Sequence, residues 1–528
     1  MRSTLPRVKQ GGGANPGDQA RGRCHGHSRH LSLIHSYILR DVTGSLRKKN
    51  TPAKAFTLVS LGCPKNRVDS ERILHAMVHH GFVFTQEAPQ ADIVIVNTCA
   101  FIQPAVEESI DVIMDLRVAA PRAILVVAGC LPLRYKDELV DALTEADLFI
   151  TPAQIPLLPE LLNQCASEHT RVQPRRGRTR SIAESARPLS SVVDSPIPDA
   201  YCCGHGPDAA GRIVTTPGYA YLKIADGCNR LCRYCTIPKI RGRFRSEPLD
   251  VLVEESKRLA AAGVKEIVLV AQDSVRYGRD LAMKTGLCAL VRAIAEIPDI
   301  QWIRLMYLHP HTIPSELPQL VNECEKLLPY LDVPFQHVSP KVLQNMGRPW
   351  KGDYIRKLVD SLRTHIPGLV LRTTFMVGFP GEGDAEFKML RDFVASYRIE
   401  HFGVFEYSAE EGTPAFALGD PIPSSVKKER ANELRDLHLH LAAKRNRARI
   451  GSTEKAIIHG VSSESEYLLE GRLWDQAPEV DGLLYITDGV ADPGKIHNVL
   501  ITDTYEVDFF GAIEDQTNDS LKDSSSRK

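Results

Sequence analysis

"YAYLKIADGCNRLCRYCTIP", residues 219–238, runs from an apolar stretch straight into three cysteines, Cys228, Cys232 and Cys235, spaced three residues and then two. The apolar stretch reads as a strand, which puts the cysteines on the loop that follows it. A zinc knuckle needs a fourth Cys or His close by, and no such partner occurs before Cys288. Three thiolates instead suit a cubane iron–sulfur cluster with one iron left open. A chance group of buried cysteines is the competing reading, and it explains the regular spacing less well.

Downstream, apolar runs alternate with helical stretches. "EIVLVAQD", "WIRLMYLH", "YLDVPFQH", "LVLRTTFMVGFPGE" and "HFGVFEYS" read as strands, with helices near 248–263, 284–297, 351–366 and 384–397 between them. Six strands alternating with helices over residues 218–423 predict a full or partial (β/α) barrel, whose chemistry sits at the carboxyl ends of its strands. A charged amphipathic helix over 424–447 connects this part to 448–514, where short alternating runs separated by glycines predict a small antiparallel β-barrel.

Upstream, residues 55–165 carry the same α/β alternation, predicting a parallel sheet covered on both faces. Three of its strands end in a cysteine: Cys63 in "SLGCPKN", Cys99 in "NTCAF" and Cys130 in "AGCL". A lone strand-end cysteine is ordinarily a small buried apolar residue. Three at the edge where α/β sheets collect ligands favour a second ligand set.

The outer segments carry less. Residues 1–54 hold eleven Lys/Arg against two acids and read as a disordered basic tail, with a transit peptide or a mis-called start as other readings. Residues 166–217 read as a Pro-, Ser-, Gly- and Arg-rich linker, and 515–528 as a disordered tail. Adjacent Cys202 and Cys203 stay unassigned, while Cys24, Cys165, Cys288 and Cys324 read as spare or buried. His309 and His337 read as cavity walls. Across all 528 residues Lys plus Arg equals Asp plus Glu at 65 each, so no global charge points to nucleic acid or a membrane surface. No apolar run of membrane-spanning length and no secretory signal are apparent, and the expected location is cytoplasmic.

CxxxCxxC after the first strand of a barrel resembles the radical S-adenosylmethionine (SAM) enzymes. That likeness implies a 4Fe-4S cluster on Cys228, Cys232 and Cys235 whose open iron chelates SAM and cleaves it reductively to a deoxyadenosyl radical. It further implies that Tyr234 packs on the adenine and that "GFPGE", with Gly378, Pro380, Gly381 and Glu382, is the SAM-binding loop. "AQDSVRYG" after the second strand, together with the motifs around Cys63, Cys99 and Cys130, resembles the methylthiotransferase members. In these a second 4Fe-4S cluster carries sulfur, one SAM supplies the methyl group, another supplies the radical, and the terminal barrel is TRAM-like.

"GCPKN" (62–66) and "APEVDG" (477–482) are similar to the type that inserts a methylthio group at the β-carbon of an aspartate in small-subunit ribosomal protein twelve. Charge bears on this independently. Residues 448–514 hold four Lys/Arg and thirteen Asp/Glu, a balance of 4 − 13 = −9. Such a surface repels tRNA phosphates and attracts a basic ribosomal protein. An electron donor and a sulfur source are further implied partners. The alternatives are a tRNA isopentenyl-adenosine methylthiotransferase and a non-catalytic iron–sulfur ribosome-binding protein.

Overall fold

The structure is a computed structural model that describes residues 54–169, 211–283, 285–348 and 352–514. The two tails, Cys24, Cys202, Cys203 and most of the expected linker lie outside the described residues. The chain divides into two compact units, the first ending at Ile213 and the second beginning, apart from residues 101–103, at Val214.

The first unit is built on five strands, β1 (Ala55–Ser60), β2 (Val83–Phe84), β3 (Ile93–Thr98), β4 (Ile124–Gly129) and β5 (Leu148–Ile150), in the order β2-β1-β3-β4-β5. All four pairings are parallel, as the continuous apolar runs require. Every residue of β3 is buried because helices cover both faces. The helix Pro64–His79 starts with proline in its first turn, where the missing N–H costs nothing. It packs Ile73, Leu74 and Met77 on Phe56 and Leu58. The expected linker boundary at 166 needs correcting, because the last helix of this unit runs Leu158–His169. At the linker's other end the buried Arg212 Nε lies 2.5 Å from Glu71 Oε2, which ties residues 212–213 to the first unit.

The second unit carries β6 (Tyr219–Lys223), the short antiparallel pair β7 (Ala225–Asp226) and β8 (Arg245–Ser246), then β9 (Glu266–Val270), β10 (Trp302–Leu305), β11 (Leu327–Asp332), β12 (Val370–Val377) and β13 (His401–Glu406). Strands β6 and β9–β13 lie in sequence order in one parallel sheet that does not close on itself, so of the two expected forms it is the partial barrel. Helices Leu249–Ala261, Leu287–Ala295, Tyr354–His365 and Asp384–Tyr397 occupy the predicted crossovers. The crossover from β10 to β11 holds a seven-residue helix, Leu317–Glu323, too short to leave a periodic signal in sequence.

Helix Ser424–Arg447 leads to β14 (Thr453–Val461), β15 (Leu469–Leu473), β16 (Leu484–Asp488), β17 (Ile496–Tyr505) and β18 (Asp508–Ile513), a closed barrel in the order β14-β15-β16-β18-β17. The pair β16–β18 is parallel and the rest are antiparallel. A ring of five strands cannot alternate strictly, so closure itself forces one parallel pair.

This barrel docks on the amino-terminal half of the larger sheet through buried charge. Glu266, the first residue of β9, accepts from Arg304 Nε at 2.7 Å and pairs with Arg472 of β15. Asp481 accepts from Tyr330 Oη at 2.6 Å and lies 3.4 Å from Arg372 Nε. Among the described residues no helix is long and apolar enough to cross a membrane.

Candidate functional site

The cysteine-bearing loop sits where the sheet ends. Gly227, at φ +72°, turns the chain out of the β6–β7 segment, and a Cβ there would stand 2.3 Å from Arg243 O, so only glycine fits. Cys228 N–H donates to Gly242 O at 3.1 Å, Cys228 Sγ accepts from Arg230 N at 3.4 Å, and Cys235 N–H donates to Cys232 O at 3.2 Å. All three thiols are free. Burial pushes Cys228 up, and burial with the neighbouring Cys232 charge pushes Cys235 up to about 12. Burial therefore favours the neutral thiol at Cys228 and Cys235, and a cation bound there would have to displace their protons.

Groups on both sides of Cys228 brace the loop. Asp226 accepts from Gly227 N–H at 2.9 Å and Gln272 Nε2 at 3.1 Å, with Arg241 Nη1 at 3.2 Å. Burial alone would raise the Asp226 carboxyl, but Arg241 and Lys223 hold it well below the usual carboxylate range. Arg230 pairs with Asp273 at 2.6 Å and donates to Thr312 Oγ1 at 2.5 Å. The brace had a partial sequence signal, since Gln272 and Asp273 belong to the "AQDSVRYG" stretch that follows β9.

Tyr234 is buried, its ring 6.3 Å from Phe379 in an edge-to-face arrangement, and Arg348 stands 6.0 Å from its centre. Phe379 belongs to the glycine loop after β12, so the aromatic beside the last cysteine and that loop share one wall. Gly378 (φ +77°) and Gly381 (φ +100°) both need the left-handed region. A Cβ on them would stand 2.2 Å from Lys427 Cγ and 2.5 Å from Asn345 Nδ2. Asn345 Nδ2 also donates to Pro380 O at 3.2 Å. Glu382 is turned to its own surroundings, accepting from Gly378 N–H at 3.0 Å and Arg430 Nη1 at 2.8 Å, with His337 Nε2 at 3.5 Å. Its carboxylate braces the loop. His337 is fully buried and its Nδ1 accepts from Ser339 N–H, as expected of a cavity wall.

In the first unit Cys63 precedes helix Pro64–His79, Cys99 follows β3 and Cys130 follows β4, so all three stand at the carboxyl ends of neighbouring strands. Register pairs Ser60 with Asn97 and Thr98 with Gly129, which levels the three ends. Asn66, fully buried, donates through Nδ2 to Leu61 O at 3.0 Å and Thr98 O at 2.8 Å, while Cys130 Sγ lies 3.7 Å from its Oδ1. Asn66 thus holds the three cysteine-bearing loops together, a role that the "CPKN" pattern did not disclose. Gly62, at φ +96°, would place a Cβ 2.9 Å from Cys99 Cβ and 3.2 Å from its Sγ. Gly62→Ala is expected to store about 1–3 kcal/mol of backbone strain and to disturb Cys63 against Cys99. The measured result should be lower iron retention in the first unit with SAM cleavage unimpaired.

Among the described residues no three His, Cys, Asp or Glu side chains converge on a point that would hold a single metal ion. A cubane takes each thiolate on a different iron, so its ligands surround a volume instead of meeting at one atom. Each set of three cysteines is outside any disulfide and has glycine at its approach, a donor chemistry that suits such a cluster. Cys165 and Cys288 are buried core residues, and Cys324 packs at the edge of the core.

Residues 55–151 match the uncharacterized protein family UPF0004, residues 222–394 the radical SAM superfamily and residues 450–513 the TRAM domain. The chain is 42% identical over 461 residues, 87% of its own length and 98% of the relative's, to the ribosomal protein uS12 methylthiotransferase RimO of Geotalea uraniireducens. It is 38% identical over 483 residues, 91% of its length and 96% of the relative's, to the protein of the same name from Myxococcus xanthus.

Proposed function

The chain belongs to the RimO family of radical SAM methylthiotransferases, and from that premise we propose how its own residues divide the work on ribosomal protein uS12. The reaction inserts a methylthio group at the β-carbon of an aspartate of that protein. In this reading Cys228, Cys232 and Cys235 hold the cluster that binds SAM, and Cys63, Cys99 and Cys130 hold the cluster that carries sulfur. The observation that supports it is a group of three cysteines, none in a disulfide, in each unit: Cys63, Cys99 and Cys130 at the carboxyl ends of neighbouring parallel strands, and Cys228, Cys232 and Cys235 on the loop that follows β6 and β7. When bound, the clusters and SAM supply a radical that removes a hydrogen atom and a methylated sulfur that replaces it.

The chain's own groups do the positioning. Asp226, Arg230, Gln272 and Asp273 fix the loop on either side of Cys228. Tyr234, Phe379 and Tyr407 line up edge to face, with 6.3 and 4.9 Å between ring centres, and offer an apolar wall that excludes water from a reactive intermediate. Gly378, Pro380 and Gly381 let backbone approach SAM closely, with Glu382 and Arg430 holding the loop in place.

The acidic terminal barrel favours a basic ribosomal protein over tRNA as the bound partner. An electron donor and a sulfur source complete the set, and a ribosomal substrate puts the site of action in the cytoplasm. Mass spectrometry of uS12 from cells with and without this chain should show one methylthio group on one aspartate only when the chain is present. An unmodified uS12 alongside a lost methylthio-adenosine in tRNA would overturn the assignment. Replacing Cys63, Cys99 and Cys130 together should spare deoxyadenosine formation and stop methylthiolation.

A further inference from the structure

The turn Ser274–Arg276 follows β9 and is fastened to the cysteine loop on both sides of Cys228. Gln272 reaches Asp226, two residues before Cys228, at 3.1 Å, and Asp273 reaches Arg230, two residues after it, at 2.6 Å. Ser274 ties the same turn to the end of β10, donating from its N–H to Tyr307 O at 3.1 Å and from its Oγ to Met306 O at 2.6 Å. Arg276 closes this rigid turn, its N–H donating to Asp273 O at 3.1 Å.

The arginines around this mouth differ in one respect. Arg230 is paired with Asp273, Arg241 with Asp226, and Arg348 donates to Pro334 O at 2.7 Å. Arg276 is half-buried, its Nε, like that of Arg348, is buried with no hydrogen-bond partner, and among the described residues Arg276 alone of these four makes no side-chain hydrogen bond or ion pair. The positive charge of this region is felt by His309, which burial together with Arg348, Arg230, His311 and Arg276 pushes down to about 2. Two buried acceptors just before this turn, Gln272 Oε1 and Asp273 Oδ1, also lack hydrogen-bond partners and call for donors, such as a peptide N–H of a bound substrate. Buried polar atoms are ordinarily satisfied, so such a concentration marks a place completed by a ligand. A guanidinium held on a rigid turn and lacking an anion is suited to a carboxylate, which it can grip with two parallel hydrogen bonds.

We propose that Arg276 receives the side-chain carboxylate of the substrate aspartate and so sets the enzyme's preference for aspartate over asparagine. This rests on the uS12 reading above. Binding the carboxylate fixes the adjacent β-carbon, the carbon that loses its hydrogen, against the cysteine loop. SAM also carries a carboxylate, and the two sources are separable by experiment.

The test compares the reconstituted full chain with its Arg276→Gln and Arg276→Lys variants, each checked for unchanged iron content. Each is given uS12 with either aspartate or asparagine at the modified position. Methylthiolation and deoxyadenosine are both measured. The wild type should prefer aspartate, and Arg276→Gln should lose roughly 10- to 100-fold in kcat/KM on aspartate while losing little on asparagine. Its KM for SAM and its uncoupled deoxyadenosine formation should be unchanged, and Arg276→Lys should recover part of the preference. An unaltered aspartate-to-asparagine ratio in Arg276→Gln would overturn the inference while leaving the uS12 reading intact. A raised KM for SAM with lost deoxyadenosine would also overturn it, assigning Arg276 to the SAM carboxylate. A wild type that leaves uS12 unmodified would remove the uS12 reading and this inference with it.

Discussion

Cys228→Ala should abolish SAM cleavage. Three thiolates are the minimum that leaves a cubane with one open iron, and two cannot hold it against exchange with solvent. Cys228, one of the proposed ligands, is held between Asp226 and Arg230, with its N–H on Gly242 O. Iron should fall from about eight to about four per chain after anaerobic reconstitution, and deoxyadenosine should drop to background. Methylthiolation of uS12 should vanish with it, since no radical is formed. Retained cleavage in this variant would move the SAM-binding cluster away from this loop. Iron analysis with chromatography of deoxyadenosine reads both quantities from one preparation.

Glu266→Gln should destabilise the second unit by about 3–5 kcal/mol, the cost of leaving buried charge uncompensated. The carboxylate is fully buried between Arg304 and Arg472, themselves 0% and 1% exposed as side chains, and glutamine offers neither guanidinium a charge. Burial would raise the Glu266 pKa, but the two arginines outweigh it and hold the carboxyl below its ordinary value of 4.5. A lowered folded value means that this stabilisation is fully present above pH 4.5 and fades as the pH falls toward the folded pKa. The wild type should therefore lose its advantage over the variant in acid. Urea unfolding at pH 7 and again below 4 measures both effects. The site of damage is also specific: Glu266 and Arg304 belong to the large sheet and Arg472 to the terminal barrel, so the barrel should loosen first.

That docking shows how a motif can be legible while its role is not. "APEVDG" marked the substrate type in sequence, yet its Asp481 is buried, accepting from Tyr330 Oη and Ala477 N–H and lying 3.5 Å from His401 Nδ1. It serves packing at the amino-terminal half of the large sheet, away from the cysteine loop at the carboxyl end. Tyr330, Arg372 and His401 come from strands separated by dozens of residues, and their convergence on one aspartate has no local signature.

The six cysteines, the alternation of strands and helices and the glycine loop after β12 were all readable from the chain, because each is a local pattern. Strand periodicity spans a few residues, the cysteine spacing spans eight positions, and Gly378 and Gly381 announce left-handed turns that other residues rarely adopt. Helix Leu317–Glu323 escaped because about two turns carry too little periodicity, and the linker was expected from 166 because polar residues blur the terminus of helix Leu158–His169.

By itself, then, the sequence determined the fold class and the class of chemistry, and it singled out the six cysteines proposed as ligands. Only the tertiary structure decided which polar groups support them. Asn66 bridging three loops, Asp226 and Asp273 bracketing Cys228, and Glu382 turned to Arg430 are all outcomes of pairing between distant segments. The physical reason is that a buried polar side chain is defined by the partner that satisfies it. In a parallel sheet, that partner sits on a neighbouring strand a whole crossover away in the chain.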